Sequence, residues 1–175
     1  LNYVEIEKNG EFNVQKIELK QETKLEFESS LLLVFTGIFR NSFEIAAEQT
    51  SKLSKNFIQL EMLSNITNKA NSILKQASFI KDFGELLNET WLVKKEINKN
   101  ISNTVIDEIY DTAMQSGAYG GKLLGAGAGG FMIFVIPENN MSNVRASLEK
   151  FIQVPVKIDY SGSQVYENKS IFRGE

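Results

Sequence analysis

The sequence predicts an α+β domain in which helices cover one face of a mostly antiparallel sheet. Two observations lead to this prediction. Apolar residues alternate or run together near the start and again near the end of the chain, as they do in strands. Between about 41 and 116 they follow helical spacing with few breakers. A long helical block between groups of strands is typical of α+β proteins rather than of repeated βαβ units.

The strands are predicted from short apolar segments. Residues 2–7 and 12–19 flank an Asn9-Gly10 turn, which predicts a β-hairpin at the amino-terminal end of the chain. A continuous apolar run is typical of a strand buried on both faces. Further strands are therefore predicted over 31–35, 131–136 and 154–160.

The helices are predicted from apolar spacing and from their caps. Asn41 followed by Glu44 resembles a capping box, which predicts a helix start after Arg40. A second helix start is expected near Asn103, and the residues after it form an apolar stripe. The predicted helices cover 42–56, 57–77, 80–98, 103–116 and 141–151.

Composition excludes several classes of function. The 175 residues, enough for one domain, contain no cysteine and no histidine, so disulfides, thiolate chemistry and histidine bases or ligands are absent. The net charge is −3 and the basic residues are scattered, which argues against nucleic acid as a partner. No apolar run is long enough for a membrane helix, and the start is not a signal peptide. We expect a cytoplasmic protein with neither nucleic acid nor membrane as partner.

The most informative segment is 117–130, where glycine occupies seven of fourteen positions. Glycine permits positive φ, so successive amides can point into one concavity and bind an anion. The alternative is a tight connection in which the main chain packs closely against a neighbour. A dinucleotide fingerprint needs a strand before and a helix after, which is the reverse of the predicted order. A Walker motif fails because Leu123 stands where Ser or Thr must hold magnesium.

The segment Gly117-Ala-Tyr-Gly-Gly-Lys-Leu-Leu-Gly-Ala-Gly-Ala-Gly-Gly-Phe131 resembles the third motif of the GHMP kinases, which phosphorylate small molecules. Residues 31–45 are similar to the strand-to-helix junction T-G-x-x-R-x-S of the bacterial heptose kinases in this class. Segments 101–109 and 1–5 also look like that branch. The resemblance covers essentially the whole chain, but only the second half of the family's sequence.

The resemblance implies a ferredoxin-like GHMP kinase C-terminal domain over 29–175, with residues 1–28 as a hairpin remnant of the N-terminal half. It also implies transfer of the ATP γ-phosphate to a sugar hydroxyl, with ATP and a phosphorylated sugar as ligands. The phosphate loop, the Mg²⁺ ligands and the catalytic base belong to the half that is not in this sequence. We therefore expect no catalytic or metal-binding residue in this chain, no activity of the chain alone, and association with the missing half or with itself.

Two groups of site residues follow from the resemblance. The first group binds substrate, with the guanidinium of one member beside a helix start as a phosphate receptor; it comprises Thr36, Gly37, Arg40 and Ser42. Arg40 could instead be an exposed ion-pairing residue. The second group supports the phosphate loop and comprises Gly120, Gly121, Lys122, Gly125, Ala126, Gly127 and Gly129. Lys122 could instead have a structural role.

Two positions depart from the family pattern. Ala128 stands where glycine is usual, so this position either has a negative φ or is mildly strained, because in the left-handed region an alanine costs on the order of 1 kcal/mol. Leu124 stands where many members have Ser or Thr. Two alternatives stay open. The missing half, the exposed cleft wall it would leave and Ala128 favour a non-catalytic kinase half that binds a ligand or a partner. The layout alone also allows a ferredoxin-like regulatory domain that binds a small ligand. Asp107 and Glu108 are interpreted as first-turn helix charges rather than as metal ligands.

Overall fold

The structure, a computed structural model, describes residues 1–39, 50, 55–125, 127–159 and 161–165. The strands are β1 Asn2–Ile6, β2 Phe12–Lys16, β3 Leu31–Phe35, β4 Gly120–Leu123, β5 Phe131–Val135 and β6 Gln153–Val154. The helices are α1 Gln21–Ser30, α2 Phe57–Ile73, α3 Ile80–Ile97, α4 Thr104–Gln115 and α5 Met141–Ser147. The helix predicted over 42–56, with its cap at Asn41, lies largely outside the described residues.

The main sheet has four strands in the order β4-β5-β3-β6, and each neighbouring pair is antiparallel. Numbered along the chain from β3, this order is 2-3-1-4, which is the ferredoxin-like arrangement. The central pair places Leu31 opposite Val135 and Phe35 opposite Phe131. The α+β class and the antiparallel sheet are therefore confirmed.

One face of the sheet is covered by α4 and α5. Alternate strand residues supply its buried side chains, because successive residues of a strand point to opposite faces. The side chain of Asn103 caps α4 by accepting hydrogen bonds from the amides of Val105 and Ile106, each at 3.1 Å. The cluster between the sheet and these helices includes Leu32, Val34, Met132, Phe134, Ile106, Ile109, Val144 and Leu148.

The other face is covered in part by α1 and by the first turns of α3. Phe27 of α1 meets the rings of Phe79 and Phe83 edge-on, each with ring centroids 5.3 Å apart. These rings share a cluster with Leu31 and Val135 of the sheet. Helix α1 was not predicted from the sequence, because segment 21–30 has few apolar residues and no helical stripe.

Strand β4 was also missed, since glycine gives no alternating pattern and the whole segment 117–130 was interpreted as a loop. Helix α3 crosses this strand at two glycines. A β-carbon on Gly120 would overlap the carbonyl oxygen of Gly84, and one on Gly84 would lie 2.6 Å from the β-carbon of Tyr119. The two backbones can approach this closely only because neither position carries a side chain.

The amino-terminal strands β1 and β2 form a separate two-stranded sheet. Their cross-strand pairs Val4–Val14 and Ile6–Phe12 lie on one face and are exposed, with Ile6 77% and Phe12 71% exposed. Ile17, directly after β2, is buried against the cluster of Phe27 and Phe79. The proposed domain boundary between 28 and 29 falls within α1.

Several element ends differ from the sequence predictions, and β2 ends at Lys16 rather than at 19. Helix α2 ends at Ile73 rather than at 77, and α5 ends at Ser147 rather than at 151. The last strand was predicted over 154–160 but consists of Gln153–Val154. Pro155 follows immediately, and proline has no amide hydrogen to continue the ladder.

We expect Gly120→Ala to lower the free energy of unfolding by about 3 kcal/mol or more, because the overlap is with backbone atoms that cannot rotate away. Gly10→Ala is the matched control, since it has φ of 88° but no described atom within 4 Å, and should cost about 1 kcal/mol. Urea unfolding followed by circular dichroism measures both. Equal losses for the two variants would contradict the close crossing of α3 over β4.

Candidate functional site

The candidate site is the glycine loop over 124–130 together with the end of β3. Thr36, 3% exposed, donates its hydroxyl to the carbonyl oxygen of Gly130 at 2.8 Å, and its amide binds the same oxygen at 2.9 Å. The amide of Gly130 binds the carbonyl oxygen of Ile38 at 2.9 Å. The Thr36 hydroxyl also accepts from the Ile38 amide at 3.3 Å. The loop is therefore tied to β3 at its carboxy-terminal end.

Among the described residues of the loop, some amides are hydrogen-bonded and others are not. Those of Leu124, Ala128 and Gly130 donate to the carbonyl oxygens of Phe131, Ile101 and Ile38 respectively. Within the described residues, no acceptor is found for the three amides between them, those of Gly125, Gly127 and Gly129. Unpaired amides beside left-handed backbone are the usual elements of an anion-binding concavity. The loop can therefore donate to a bound anion without breaking its own hydrogen bonds.

The glycines of the loop serve two different purposes. At Gly127 a β-carbon would lie 2.7 Å from the β-carbon of Ile101, and at Gly129 it would lie 2.6 Å from the carbonyl oxygen of Ile38. Gly125 has no described atom within 4 Å, but its φ is 74°. Close packing therefore requires glycine at Gly127 and Gly129, and backbone conformation requires it at Gly125 and, with φ of 116°, also at Gly127.

Ala128 is the position at which the loop carries strain. It has φ of 64°, in the left-handed region that disfavours side chains, and it is 2% exposed. The sequence left open whether Ala128 has a negative φ or a strained backbone. Its positive φ shows that the backbone is strained. The methyl group belongs to the buried cluster beneath the sheet, and its burial offsets part of the strain.

Lys122 lies on β4, opposite Ile133 of β5. Burial first, and then the positive charge of Lys94 on α3, together lower the pKa of its ammonium group to about 8. Both effects disfavour the charged form of the amine. Sequence patterns do not point to Lys94, because it lies 28 positions before Lys122 and belongs to no motif.

Aromatic side chains are exposed beside the loop, on the sheet face that carries Lys122. The ring of Phe35 lies 5.0 Å from that of Phe131 and 5.2 Å from that of Phe39, between centroids. Phe39 is 86% exposed and Phe131 is 38% exposed. These three residues are called the aromatic patch below. The aromatic patch is an apolar surface that adjoins the glycine loop.

Comparison with known proteins identifies the family. Residues 72–153 match the family model described as GHMP kinases C terminal. The chain is 34% identical over 152 residues to the D-glycero-alpha-D-manno-heptose 7-phosphate kinase of Campylobacter jejuni, covering 85% of this chain and 44% of that protein. The chain carries a GHMP kinase C-terminal domain. It spans less than half the length of the relatives that it matches.

Solved structures agree with this domain at the level of the fold. The mevalonate kinase of L. major in complex with R-mevalonate has a TM-score of 0.68 at 20% identity, covering 85% of this chain and 44% of that one. A D-glycero-D-manno-heptose 1-phosphate kinase from Bacteriodes thetaiotaomicron has a TM-score of 0.55 at 24% identity, covering 88% and 40%.

The residues predicted for the site are distributed over two places in the GHMP kinase domain. Thr36 and Gly37 adjoin the loop that contains Gly125, Gly127 and Gly129. Away from the loop, on β4, are Gly120, Gly121 and Lys122. Arg40, Ser42 and Ala126 lie outside the described residues.

Residues that fix the loop but were not predicted are Ile38 and Ile101. Both act through their backbone carbonyl groups, which accept from the loop amides of Gly130 and Ala128. Backbone acceptors can be any residue type, so sequence patterns do not reveal them. Only the fold brings these carbonyl groups to the loop.

The acidic residues at the start of α4 have local partners. Asp107 accepts from the hydroxyl of Ser102 at 2.7 Å and forms an ion pair with Lys95 at 3.7 Å. Glu108 pairs with Lys150. Within the described part of the chain, no group of three or more acidic side chains could hold a metal ion. None of the helices among the described residues is long and apolar enough to cross a membrane.

We expect Gly127→Ala to lower the free energy of unfolding by about 3 kcal/mol, since it adds steric overlap with Ile101 to the cost of a left-handed alanine. Gly125→Ala also has a positive φ, 74° against 116° at Gly127, but no overlap, and should cost about 1 kcal/mol. Chemical unfolding measures the difference. An equal loss in the free energy of unfolding for both variants would contradict the close packing of Gly127 against Ile101.

Proposed function

We propose that this chain is the carboxy-terminal half of an ATP-dependent sugar kinase, with a heptose phosphate as substrate. The enzyme would transfer the γ-phosphate of ATP to a sugar hydroxyl. The observation that supports this most strongly is the glycine loop, three of whose amides have no acceptor among the described residues, in a chain 34% identical to a heptose 7-phosphate kinase. We also propose that this kinase is a cytoplasmic enzyme.

The proposed roles of the chain's residues follow from the geometry of the loop. Unpaired amides at Gly125, Gly127 and Gly129 would donate to anionic oxygens of a bound phosphate. Thr36 uses its hydroxyl to hold Gly130, so we assign it to positioning the loop, at the edge of the substrate site. Gly37, with φ of 74° and an exposed backbone, lies at the same edge. Arg40 and Ser42 stay proposed substrate-binding residues.

We assign the remaining predicted residues to the support of the loop. Gly120 and Gly121 allow α3 and the neighbouring strand to pack closely on β4, which leads into the loop. Lys122 is on the same strand, and Ala126 is within the loop. ATP would supply the phosphoryl group and Mg²⁺ would neutralise its charge. The ligands of Mg²⁺ and the catalytic base are assigned to the other half of the enzyme.

The exposed apolar face of the β1–β2 hairpin supports the proposal that another polypeptide docks on it. Val4, Ile6, Phe12 and Val14 present an apolar face that nothing in the described chain covers, although isolated two-stranded hairpins are only marginally stable. We propose that residues 1–28 belong to the surface on which the amino-terminal half of the kinase, or a second copy of the chain, docks. Domain 29–175 would then form the carboxy-terminal lobe.

A non-catalytic kinase half is the second candidate, and Ala128 is the observation that favours it. A strained alanine where the family has glycine would misdirect the neighbouring amides if the strain relaxes on ligand binding. Such a module would keep the fold and could bind a ligand or a partner without transferring phosphate.

The two candidates are separated by a chimera. This chain replaces the matching part of the Campylobacter jejuni heptose 7-phosphate kinase, and ATP-dependent phosphorylation of a heptose phosphate is measured. We expect transfer by the chimera and none above background by the chain alone, since the phosphate loop is supplied by the other half. Galactose and fucose, as unphosphorylated sugars, should be poorer substrates.

The matched control is the same chimera with Ala128→Gly, which removes the strain at the loop. A cooperatively folded chimera that transfers phosphate only with this change would support the non-catalytic candidate. A folded chimera inactive with either residue would contradict the kinase proposal altogether.

A further inference from the structure

Asn98 joins helix α3 to a short turn that contacts the glycine loop. It follows Ile97, the last residue of α3, and its amide donates to the carbonyl oxygen of Lys94 at 3.2 Å. It also precedes a single 3₁₀ turn over Lys99–Ile101, which is called the 99–101 turn below. With φ of −148° and ψ of 107° its backbone is extended, so the helix ends and the turn begins at this residue.

Asn98 closes the 99–101 turn with its backbone and with its side chain. Its carbonyl oxygen accepts from the amide of Ile101 at 3.2 Å, and its side-chain Oδ1 accepts from the amide of Asn100 at 3.1 Å. A turn of three residues has few hydrogen bonds of its own, so a side-chain cap contributes much of its stability. Asn98 is 2% exposed, and the surrounding atoms therefore keep its side chain in this position.

The 99–101 turn holds the glycine loop through Ile101. The carbonyl oxygen of Ile101 accepts from the amide of Ala128 at 2.8 Å, and a β-carbon on Gly127 would lie 2.7 Å from the β-carbon of Ile101. Ala128 has φ of 64°, a strained conformation that persists only while its surroundings maintain it. Movement of the turn would therefore release the strained residue and reorient the amides of Gly127 and Gly129 beside it.

We propose that Asn98 is a positioning residue of the glycine loop. By capping the 99–101 turn, it keeps the carbonyl group of Ile101 where the amide of Ala128 reaches it. Asn98 acts through the turn and not by contact with a ligand. Its consequence for catalysis rests on the proposed function, in which the loop binds phosphate, whereas its effect on the loop is a property of this chain alone.

The two ends of the Asn98 carboxamide have different surroundings. Oδ1 caps the turn, whereas Nδ2 is buried and has no hydrogen-bond partner within the described residues. The capping role therefore requires only the oxygen. Serine supplies a capping oxygen without the NH₂ group, and alanine supplies neither. The pair Asn98→Ser and Asn98→Ala thus isolates the hydrogen bond on which the proposal depends.

The alternative is that the side chain of Ile101 holds the turn without help from the cap. Ile101 is 2% exposed and belongs to the same buried cluster as Ile106 and Met132. If this burial were sufficient, loss of the Asn98 cap would loosen the amide of Asn100 and leave the hydrogen bond of Ala128 unchanged. The two explanations therefore differ in what they predict for a single amide of the loop.

Native-state hydrogen exchange of the chain, resolved by NMR, separates these explanations. In Asn98→Ala, the amide of Ala128 should exchange about tenfold faster than in the wild-type chain, because its acceptor is no longer held in place. The amides of Leu124 and Gly130 bond to other carbonyl groups, and their exchange should change less than about threefold. Asn98→Ser should restore the Ala128 amide to within about threefold of the wild type.

Asn103→Ala is the matched control, because Asn103 also caps a helical segment with its side-chain oxygen. Among the described residues, no hydrogen bond joins its helix α4 to the glycine loop. Loss of this cap should therefore lower the stability of the whole domain without a selective effect on the Ala128 amide. Selective acceleration of Ala128 in this control would overturn the proposal.

The consequence for catalysis is measured in the chimera with the Campylobacter jejuni kinase. Asn98→Ala should lower kcat/KM for ATP about tenfold, and Asn98→Ser should lower it less than about threefold, because only the first removes the capping oxygen. A chimera that is inactive with Asn98 in place would contradict the proposed function, and hydrogen exchange of the chain alone would still decide the role of Asn98.

The proposal is overturned if Asn98→Ala leaves the exchange of Ala128 within about threefold of the wild type, or if Asn98→Ser fails to restore it. If Asn98→Ala does not fold, the wild-type chain still provides a test. The amide of Asn100 reports each opening of the turn, so Ala128 should be no better protected than Asn100. Protection of Ala128 that exceeds that of Asn100 by more than about tenfold would overturn the proposal.

Discussion

The buried hydroxyl of Thr36 binds the carbonyl oxygen of Gly130, and the geometry of the glycine loop depends on this attachment. A buried hydroxyl without a partner would cost about 1–3 kcal/mol, so the bond persists as long as β3 and β5 pair. With Gly130 fixed, the amides of Gly130 and Ala128 reach the carbonyl groups of Ile38 and Ile101. The amides of Gly125, Gly127 and Gly129, which have no acceptor among the described residues, are then left to donate elsewhere. The sheet thus determines which loop amides are available to a ligand.

The same segment shows why a glycine-rich motif should not be assigned a single purpose. Gly120 permits close contact with Gly84, so its role is packing, and Gly127 combines close contact with Ile101 and a positive φ. Gly125 and Gly130 have no described atom within 4 Å of an added β-carbon but have positive φ, so their role is conformational. The packing explanation therefore holds at some of these positions, and anion binding by the loop amides stays a proposal. Ala128 shows that the left-handed conformation is maintained even where the residue disfavours it.

Much of the fold could be predicted from side-chain patterns. Strand β3 is a continuous apolar run, and α4 has both a capping Asn103 and an apolar stripe. Helix α1 has no stripe, β4 consists largely of glycine, and Pro155 ends β6 early, so these three features could not be read from periodicity. For the site, motif resemblance predicted the loop and Thr36. The carbonyl groups of Ile38 and Ile101, which accept from the loop amides, could not be predicted because only the fold brings them to the loop.

Native-state hydrogen exchange of the loop amides, resolved by NMR, tests the central claim most directly. The account predicts strong protection of Ala128 and Gly130, because both amides are bonded to backbone carbonyl groups. It predicts exchange at least about a hundredfold faster for Gly125, Gly127 and Gly129, since their amides lack acceptors and open without loss of a hydrogen bond. Equal protection across 125–130 would contradict it, because the loop would then have no amides to offer to a phosphate.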